Sequence, residues 1–375
     1  MAFAMPAACV WPVFVPLATQ IPSVIVHQPD RLLRQFQRLA QSFLQQQSAS
    51  GLPVNSLVIA CSGGADSTAL LHLLHRSGLW SASALHVAHF DHDLRLDSHV
   101  DADFVKELSQ QLGVVYHSAL WHRPEGSGNV QDQARQARYQ FLIGVARCAG
   151  ARYIVTGHHQ DDQAETLLDH LVRGSGPHGL MAMSSQRSLT DGVMLWRPLL
   201  PLRRHALRTW LQQQQLPWRD EPSNQRPIYR RNCLRLLALP TLEQCAGYDP
   251  IPQLASTAQI IAQTETALDW LLDQYEPSLD LRHESAGSLS LSRSALAQLP
   301  DETIVRCLLR RYQTLMGSRH SLPGRRARMA FVHLTQQGDR HGTLRLAGVA
   351  IHCCHDRLIF TATDAPLRKP PSPAQ

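Results

Sequence analysis

The sequence has no long apolar run, no paired cysteines, and no lysine or arginine before Arg31, and each gap excludes a class of protein. Without about 18 uninterrupted apolar residues there is no candidate membrane span, so no membrane role is expected. Eight cysteines stand at positions 9, 61, 148, 233, 245, 307, 353 and 354. None forms a C-x-x-C pair, which removes the usual zinc-ribbon, iron–sulfur and dithiol patterns. They read as reduced thiols of a cytoplasmic protein. Residues 1–26 are apolar but lack the charged opening of a secretory signal and are interrupted by Pro6, Pro12, Pro16 and Pro22. They read as a flexible leader or an overlong start, with Met5 as an alternative beginning.

Of 375 residues, 44% are hydrophobic, enough to bury large cores in two domains. The formal charge of +6 is unevenly spread. Residues 200–240 hold eight arginines against two acids, and residues 301–345 hold nine against three, so the rest of the chain is acidic. Two basic patches on a mildly acidic chain point to a polyanionic partner, although arginine also populates solvated helix faces.

The richest segment is Ser62-Gly63-Gly64-Ala65-Asp66-Ser67, between the apolar run Leu57–Cys61 and the helical pattern Thr68–Leu74. A strand, a small-residue turn and a helix start bring free amides and the positive end of a helix dipole to one point. Glycines allow close backbone approach, so phosphate fits there. Neither the Lys-Ser/Thr ending of a Walker A loop nor G-x-G-x-x-G is present. The acidic Asp66 inside the loop suggests a magnesium ligand instead.

Alternation of strand and helix surrounds this turn. Helical spacing covers 31–47, strands are predicted at 54–61, 84–90, 114–120 and 153–156, and helices at 98–112 and 129–149. This rhythm predicts an α/β fold with a doubly wound parallel sheet, ligands lying beyond the carboxyl ends of the strands. A boundary is expected near 245–250. Beyond it, helices are predicted at 252–275, 304–315 and 326–335, and strands within 342–360, as in a smaller, mostly helical α+β domain.

Two further polar clusters follow strands. His89 to Arg95, HFDHDLR, ends the second strand, where an adenosine would meet it, although a capped turn has the same composition. Residues 156–166, TGHHQDDQAET, follow the fourth strand and open a helix. Asp162 and Glu165 share a helical face, with Asp161 nearby. Acidic residues in a first turn also serve simply as dipole partners. His158 and His159 have too few companions for zinc.

Together these motifs resemble the N-type ATP pyrophosphatases of the PP-loop superfamily, and more narrowly the tRNA(Ile)-lysidine synthetases. The resemblance rests on SGGADS at 62–67, HFDHDLR at 89–95, ARYQFL at 137–142, TGHHQDDQAET at 156–166, RGSGPHGL at 173–180, RPLL at 197–200 and DEPSNQRPIYRRNCLR at 220–235. Arg226, where an acidic residue is expected, and the bulky His178 depart from the family pattern. The resemblance implies a catalytic domain over 27–245 and a tRNA-binding domain over 250–375.

It also implies a reaction. ATP and free L-lysine convert the wobble cytidine of tRNA(Ile) with a CAU anticodon to lysidine, by adenylation at O2 and then amine attack at C2. ATP would lie on Ser62, Gly63, Gly64, Ala65, Asp66, Ser67 and His89. Mg2+ would be held by Asp66 and Asp162, and Arg138 would face the α-phosphate. Asp161, Asp162 and Glu165 would hold the lysine ammonium and supply the base, without distinguishing which of them it is. Arg197, Arg203, Arg230, Arg231 and Arg235 would meet tRNA, with Asn224 and Asn232 organising their loop, and a homodimer is compatible with the resemblance. The alternative is another PP-loop tRNA modifier, such as a thiolase, for which a reactive cysteine is required.

Overall fold

The computed structural model describes residues 30–92, 98–122, 130–220, 230–285, 287–316, 324–336, 342–346 and 348–363. The leader at 1–26, residues 93–95 of the HFDHDLR motif, and 221–229 with Asn224 and Arg226 lie outside them. In chain order the elements are α1 (Arg31–Ala49), β1 (Leu57–Ala60), α2 (Ala65–Arg76), β2 (Leu85–Asp91), α3 (Ser98–Gln111), β3 (Val115–Leu120), α4 (Val130–Cys148), β4 (Tyr153–Val155), α5 (Gln160–Val172), α6 (Pro177–Leu180), β5 (Gln186–Thr190), β6 (Val193–Trp196) and α7 (Arg204–Gln213). There follow α8 (Arg230–Cys233), a π-helical turn Leu234–Ala238, α9 (Leu239–Ala246), α10 (Ile251–Tyr275), β7 (Arg282–Ser285), β8 (Ser288–Ser292), α11 (Arg293–Ala297), α12 (Asp301–Met316), α13 (Arg325–Gln336), β9 (Gly342–Leu346), β10 (Val349–Cys354) and β11 (Arg357–Ala362).

The chain divides into two compact units, 1–160 with 185–223, and 161–184 with 224–375. The division is not linear in sequence. α10, at the boundary expected near 245–250, lies wholly in the second unit.

In the first unit, strands run in the order β3-β2-β1-β4-β6-β5. All neighbours are parallel except β5 and β6, which form an antiparallel hairpin turning through Gly192 at φ 77°. The parallel sheet was expected from the sequence, but this edge hairpin was not. β1 and β4 are apolar and almost wholly buried, as central strands covered on both faces must be. One face packs α1, α2 and α7 around Phe36, Leu70, Leu71 and Trp210, and the other packs α4 through Leu142 and Ala146. The chain runs from β1 outward to β3 and then returns to place β4 on the other side of β1. That reversal creates a crevice at the carboxyl ends of β1 and β4, where this fold takes its ligands.

The second unit carries a five-stranded antiparallel sheet, β7-β8-β11-β10-β9. Leu289, Leu291, Ile351, Leu358 and Phe360 meet Ile304, Leu308, Tyr312 and Phe331 of α12 and α13 in one core. The closing strands were legible in the sequence; β7 and β8 were not. Among the described residues no helix is long and apolar enough to cross a membrane.

Candidate active site

β1 ends in buried Cys61, and the chain then turns through Gly63 at φ 85° into α2, whose N-cap is Gly64. Gly63 is required twice, since the backbone is left-handed and a Cβ would stand 3.3 Å from Phe104 and Val105. Gly64 has no side chain to cap α2, so the amides of the first turn are left to a ligand. The turn is braced from inside. Ser67 Oγ donates to the Gly64 carbonyl at 3.0 Å and accepts from the Ser62 amide at 3.2 Å, while Thr68 Oγ1 donates to the Gly63 carbonyl at 3.1 Å. Ala65 lies buried inside the turn.

Asp66 stands in the first turn of α2 with Oδ1 buried and without a hydrogen-bond partner. Its Oδ2 lies 3.4 Å from Nε2 of His159, a residue only 2% exposed. An orphaned carboxylate oxygen beside an open helix end suits a cation, and magnesium is usually held by one or two carboxylates plus phosphate oxygens. Among the described residues no group of three His, Cys, Asp or Glu side chains is gathered to hold a metal. Asp66 therefore fits Mg2+ as a partial ligand set.

The end of β4 presses against this turn. A Cβ on Gly157 would fall 2.9 Å from the Asp66 carbonyl oxygen and 3.1 Å from the Ser67 nitrogen. Gly157 and His159 were not singled out from the sequence as functional. Their signal was present in TGHH, but what they touch is about ninety residues away in another segment and depends on β1 and β4 being neighbours. His89 is buried, with Nδ1 3.0 Å from the Cys61 carbonyl. Burial holds its pKa below the usual value, so it is neutral at physiological pH and pinned beside the loop. Burial pushes the Cys61 thiol up, the opposite of a reactive sulfur.

The second unit contains the acidic face of α5. Asp162 and Glu165 are bridged by Arg231, whose Nη2 lies 2.5 Å from Asp162 and whose Nε lies 2.7 Å from Glu165. Glu165 is 4% exposed; burial raises its pKa and the guanidinium opposes that rise. Asp161 is half-buried at the start of α5. The carboxylate pair is thus a built cation site, filled here by a side chain of the same chain. Gln163 fixes the following loop, donating to the Met183 carbonyl at 2.9 Å and accepting from the Met183 amide at 3.0 Å.

The arginines assigned to tRNA are not equivalent. Arg230 pairs with Asp169 at 2.7 Å and Arg231 with the α5 carboxylates, while Arg197 is 5% exposed. Arg203 stands at the N-cap position of α7 without a side-chain capping bond, and Arg235 is half-buried near enough to Glu165 to lower its pKa. Arg138 is half-buried on α4 with its Nε unpartnered. In the second basic stretch, Arg306 pairs with Glu265 and Asp269, Arg310 with Asp269 and Asp273, and Arg311 with Glu276. Part of that apparent surplus is therefore neutralised by α10 and by Glu276, which follows it directly. Arg325, Arg326 and Arg345 remain exposed.

An uncapped glycine turn at the switch point, with an acidic residue in the first helical turn, defines an ATP-using site of the PP-loop class, and residues 32–242 match the family model for the PP-loop domain. The chain is 38% identical over 264 residues to the tRNA(Ile)-lysidine synthase of Ruegeria pomeroyi, covering 69% of this chain and 61% of that protein. It is 37% identical over 267 residues to the tRNA(Ile)-lysidine synthase of Bradyrhizobium diazoefficiens, covering 69% and 73%. The chain belongs to the tRNA(Ile)-lysidine synthase family. Among solved structures, the U34-tRNA thiolase NcsA from Methanococcus maripaludis with its [4Fe-4S] cluster superposes at a TM-score of 0.50 and 15% identity, over 62% of this chain and 78% of that one. That likeness is one of fold alone.

Proposed function

We propose that this chain ligates free L-lysine to C2 of the wobble cytidine in a tRNA(Ile) bearing CAU, through an adenylated tRNA, releasing diphosphate and AMP. The observation that carries the lysine half is the bridging of Asp162 and Glu165 by a guanidinium, since the same pair would take an ammonium group. In the first step the cytosine O2 attacks the α-phosphorus of ATP, and the bond to the bridging oxygen of the departing diphosphate breaks. Negative charge grows on phosphate oxygens, which the amides of residues 63–67, Ser62 and Ser67 would stabilise, with Arg138 at the α-phosphate. Asp66 fits a Mg2+ ion, and Asp162, read from the sequence as its second ligand, is engaged by Arg231. The ion, when bound, supplies charge that neutralises phosphate oxygens.

In the second step the lysine ε-nitrogen attacks C2, the C2–O2 bond breaks, and O2 leaves with AMP. The amine must first lose a proton, since its ordinary pKa is roughly 10.4. Glu165 is suited to accept it, because burial raises its basicity and the helix holds it in place. Residues 250–375 would position the remainder of the tRNA through exposed cations, in the cytoplasm, with a homodimer as the assembly to test. Sulfur transfer, the alternative, gains nothing from Cys61 with its raised pKa.

The test is diphosphate release from ATP by the purified protein with unmodified tRNA(Ile) bearing CAU, with and without lysine, followed by nucleoside analysis. Lysidine formed only with lysine supports the proposal. Diphosphate released in a tRNA-dependent way with no lysidine refutes its second half.

A further inference from the structure

The phosphate loop has a second brace, which comes from far along the chain. After α7 the backbone passes through Gln215 at φ 54° and returns to the loop as a strap, residues 216–220. The Arg219 amide donates to the Gly63 carbonyl at 2.9 Å, and Gly64 and Arg219 form a parallel bridge. Thr68 Oγ1 donates to the same carbonyl at 3.1 Å. The strap is fastened by both of its charged residues. Arg219 Nε lies 3.0 Å from Asp101 of α3, and Asp220 meets Arg208 of α7 at 2.6 Å. Leu216 and Trp218 pack against the core of the unit. A Cβ placed on Gly63 would stand 3.3 Å from Phe104 and Val105, further along α3, and 3.7 Å from Cγ of Arg219.

This fastening acts on the freest peptide plane of the loop. A plane between two glycines meets no Cβ on either side, so it turns over at little steric cost. In a trans peptide the N–H and C=O point in opposite directions. The Gly63–Gly64 plane therefore has two settings, with the carbonyl toward the strap and the Gly64 N–H away from it, or the reverse. The reverse setting would put a carbonyl oxygen where the start of α2 otherwise offers a donor, and an oxygen there repels phosphate. Two donors on one carbonyl oxygen hold the first setting, and one of them is the main chain of residue 219.

We propose that Arg219 is a positioning residue for ATP: its backbone amide, held in place by the ion pair with Asp101, keeps the Gly64 N–H turned to the phosphates. Arg219 touches no reacting atom and acts through the loop. Its side chain and its main chain have separate tasks, the first tying the strap to α3 and the second orienting the glycine plane. The inference rests on the ATP-using reading of the loop and not on lysine transfer.

The experiment uses the full chain as wild type, Arg219→Ala, Arg219→Lys, Thr68→Val, and the double variant Thr68→Val with Arg219→Ala. Calorimetry gives the affinity of each for a non-hydrolysable ATP analogue and for adenosine, which carries no phosphate, and urea unfolding checks that each is folded. Removing a half-exposed ion pair or one neutral hydrogen bond is expected to weaken the analogue about fivefold in Arg219→Ala and in Thr68→Val, with adenosine unaltered. Arg219→Lys keeps a cation for Asp101 and should bind the analogue within about twofold of wild type. Because both donors serve one carbonyl, the double variant should lose more than the product of the single losses. Unaltered analogue affinity in Arg219→Ala overturns the proposal. So do equal losses of analogue and adenosine, which would make the strap a support of the whole site, and single losses that simply multiply. Arg219→Lys as weak as Arg219→Ala overturns it too, since the cation would then not be what holds the strap. Neither tRNA nor lysine enters these measurements. Absence of lysidine would therefore sink the proposed reaction and leave this inference standing, whereas wild type that makes lysidine while Arg219→Ala binds the analogue normally would sink this inference alone.

Discussion

Replacing Gly157 by alanine tests whether the end of β4 sets the shape of the phosphate loop. The added Cβ would meet three backbone atoms of the first turn of α2, at 2.9 Å from the Asp66 oxygen, 3.0 Å from its carbonyl carbon and 3.1 Å from the Ser67 nitrogen. Comfortable contacts lie near 3.5 Å, so the two segments must separate by about half an ångström. None of these atoms belongs to a flexible side chain, so the strain falls on the loop itself. Overpacking of this kind costs about 1–3 kcal/mol of stability. A misplacement of 1 Å at a catalytic group costs on the order of a hundredfold in rate, so half of that should cost about tenfold. Denaturant unfolding, ATP-analogue binding and the rate of diphosphate release are to be compared for wild type and Gly157→Ala. The expected result is a drop in all three, with RNA binding retained. A variant with unaltered stability and unaltered ATP affinity would refute the role given to this contact.

Asp66→Asn should abolish diphosphate release while tRNA affinity, read by filter binding, stays near that of wild type; loss of tRNA binding alone would count against Asp66 as a metal ligand. Arg231→Met removes the guanidinium that lowers the Glu165 pKa, so the acidic limb of the lysine-transfer pH profile should move to higher pH; an unmoved limb would show that Glu165 does not govern it. His72 is buried on α2 with neither ring nitrogen partnered, and burial, helped by Arg76 and His75, lowers its pKa from 6.5 to about 4. A histidine held neutral in the folded state stabilises fully above its unfolded pKa and loses that contribution as pH falls toward the folded one, by about 2 kcal/mol between pH 7 and pH 5. His72→Leu should remove that share of the acid sensitivity in urea titrations at the two pH values, and equal losses in both proteins would disprove it.

The phosphate loop and the acidic face of α5 were largely legible because their signals are local. An apolar run, a glycine turn and a helical pattern announce β1, the phosphate loop and α2, and the spacing of Asp162 and Glu165 places both on one face of α5 without tertiary information. What was missed depends on chain segments meeting. His159 gives no sign of facing Asp66 until β1 and β4 are adjacent. Arg231 reads as a free cation in a basic stretch, yet it is sixty-odd residues from the carboxylates that hold it. The β5–β6 hairpin is short, with exposed Arg187 and Ser188 breaking its apolar pattern. The arginines of α12 carry no mark of the acidic residues on α10 that neutralise them.

That last pairing has a consequence for how α12 and α10 find their alignment. Asp269, Asp273 and Glu276 offer carboxylates at roughly one-turn intervals to Arg306, Arg310 and Arg311, so a slide by one turn toward the end of α10 would find new partners for most of them. Glu265 breaks this near-degeneracy. It is 4% exposed and bonded to Arg306 at 2.6 Å, and the slide would leave its buried carboxylate with His178, 3.9 Å away, in place of the guanidinium, a loss of up to about 3–5 kcal/mol. The rest of the ladder tolerates a one-turn slide, and this one buried rung works like the notch on a key, admitting a single register.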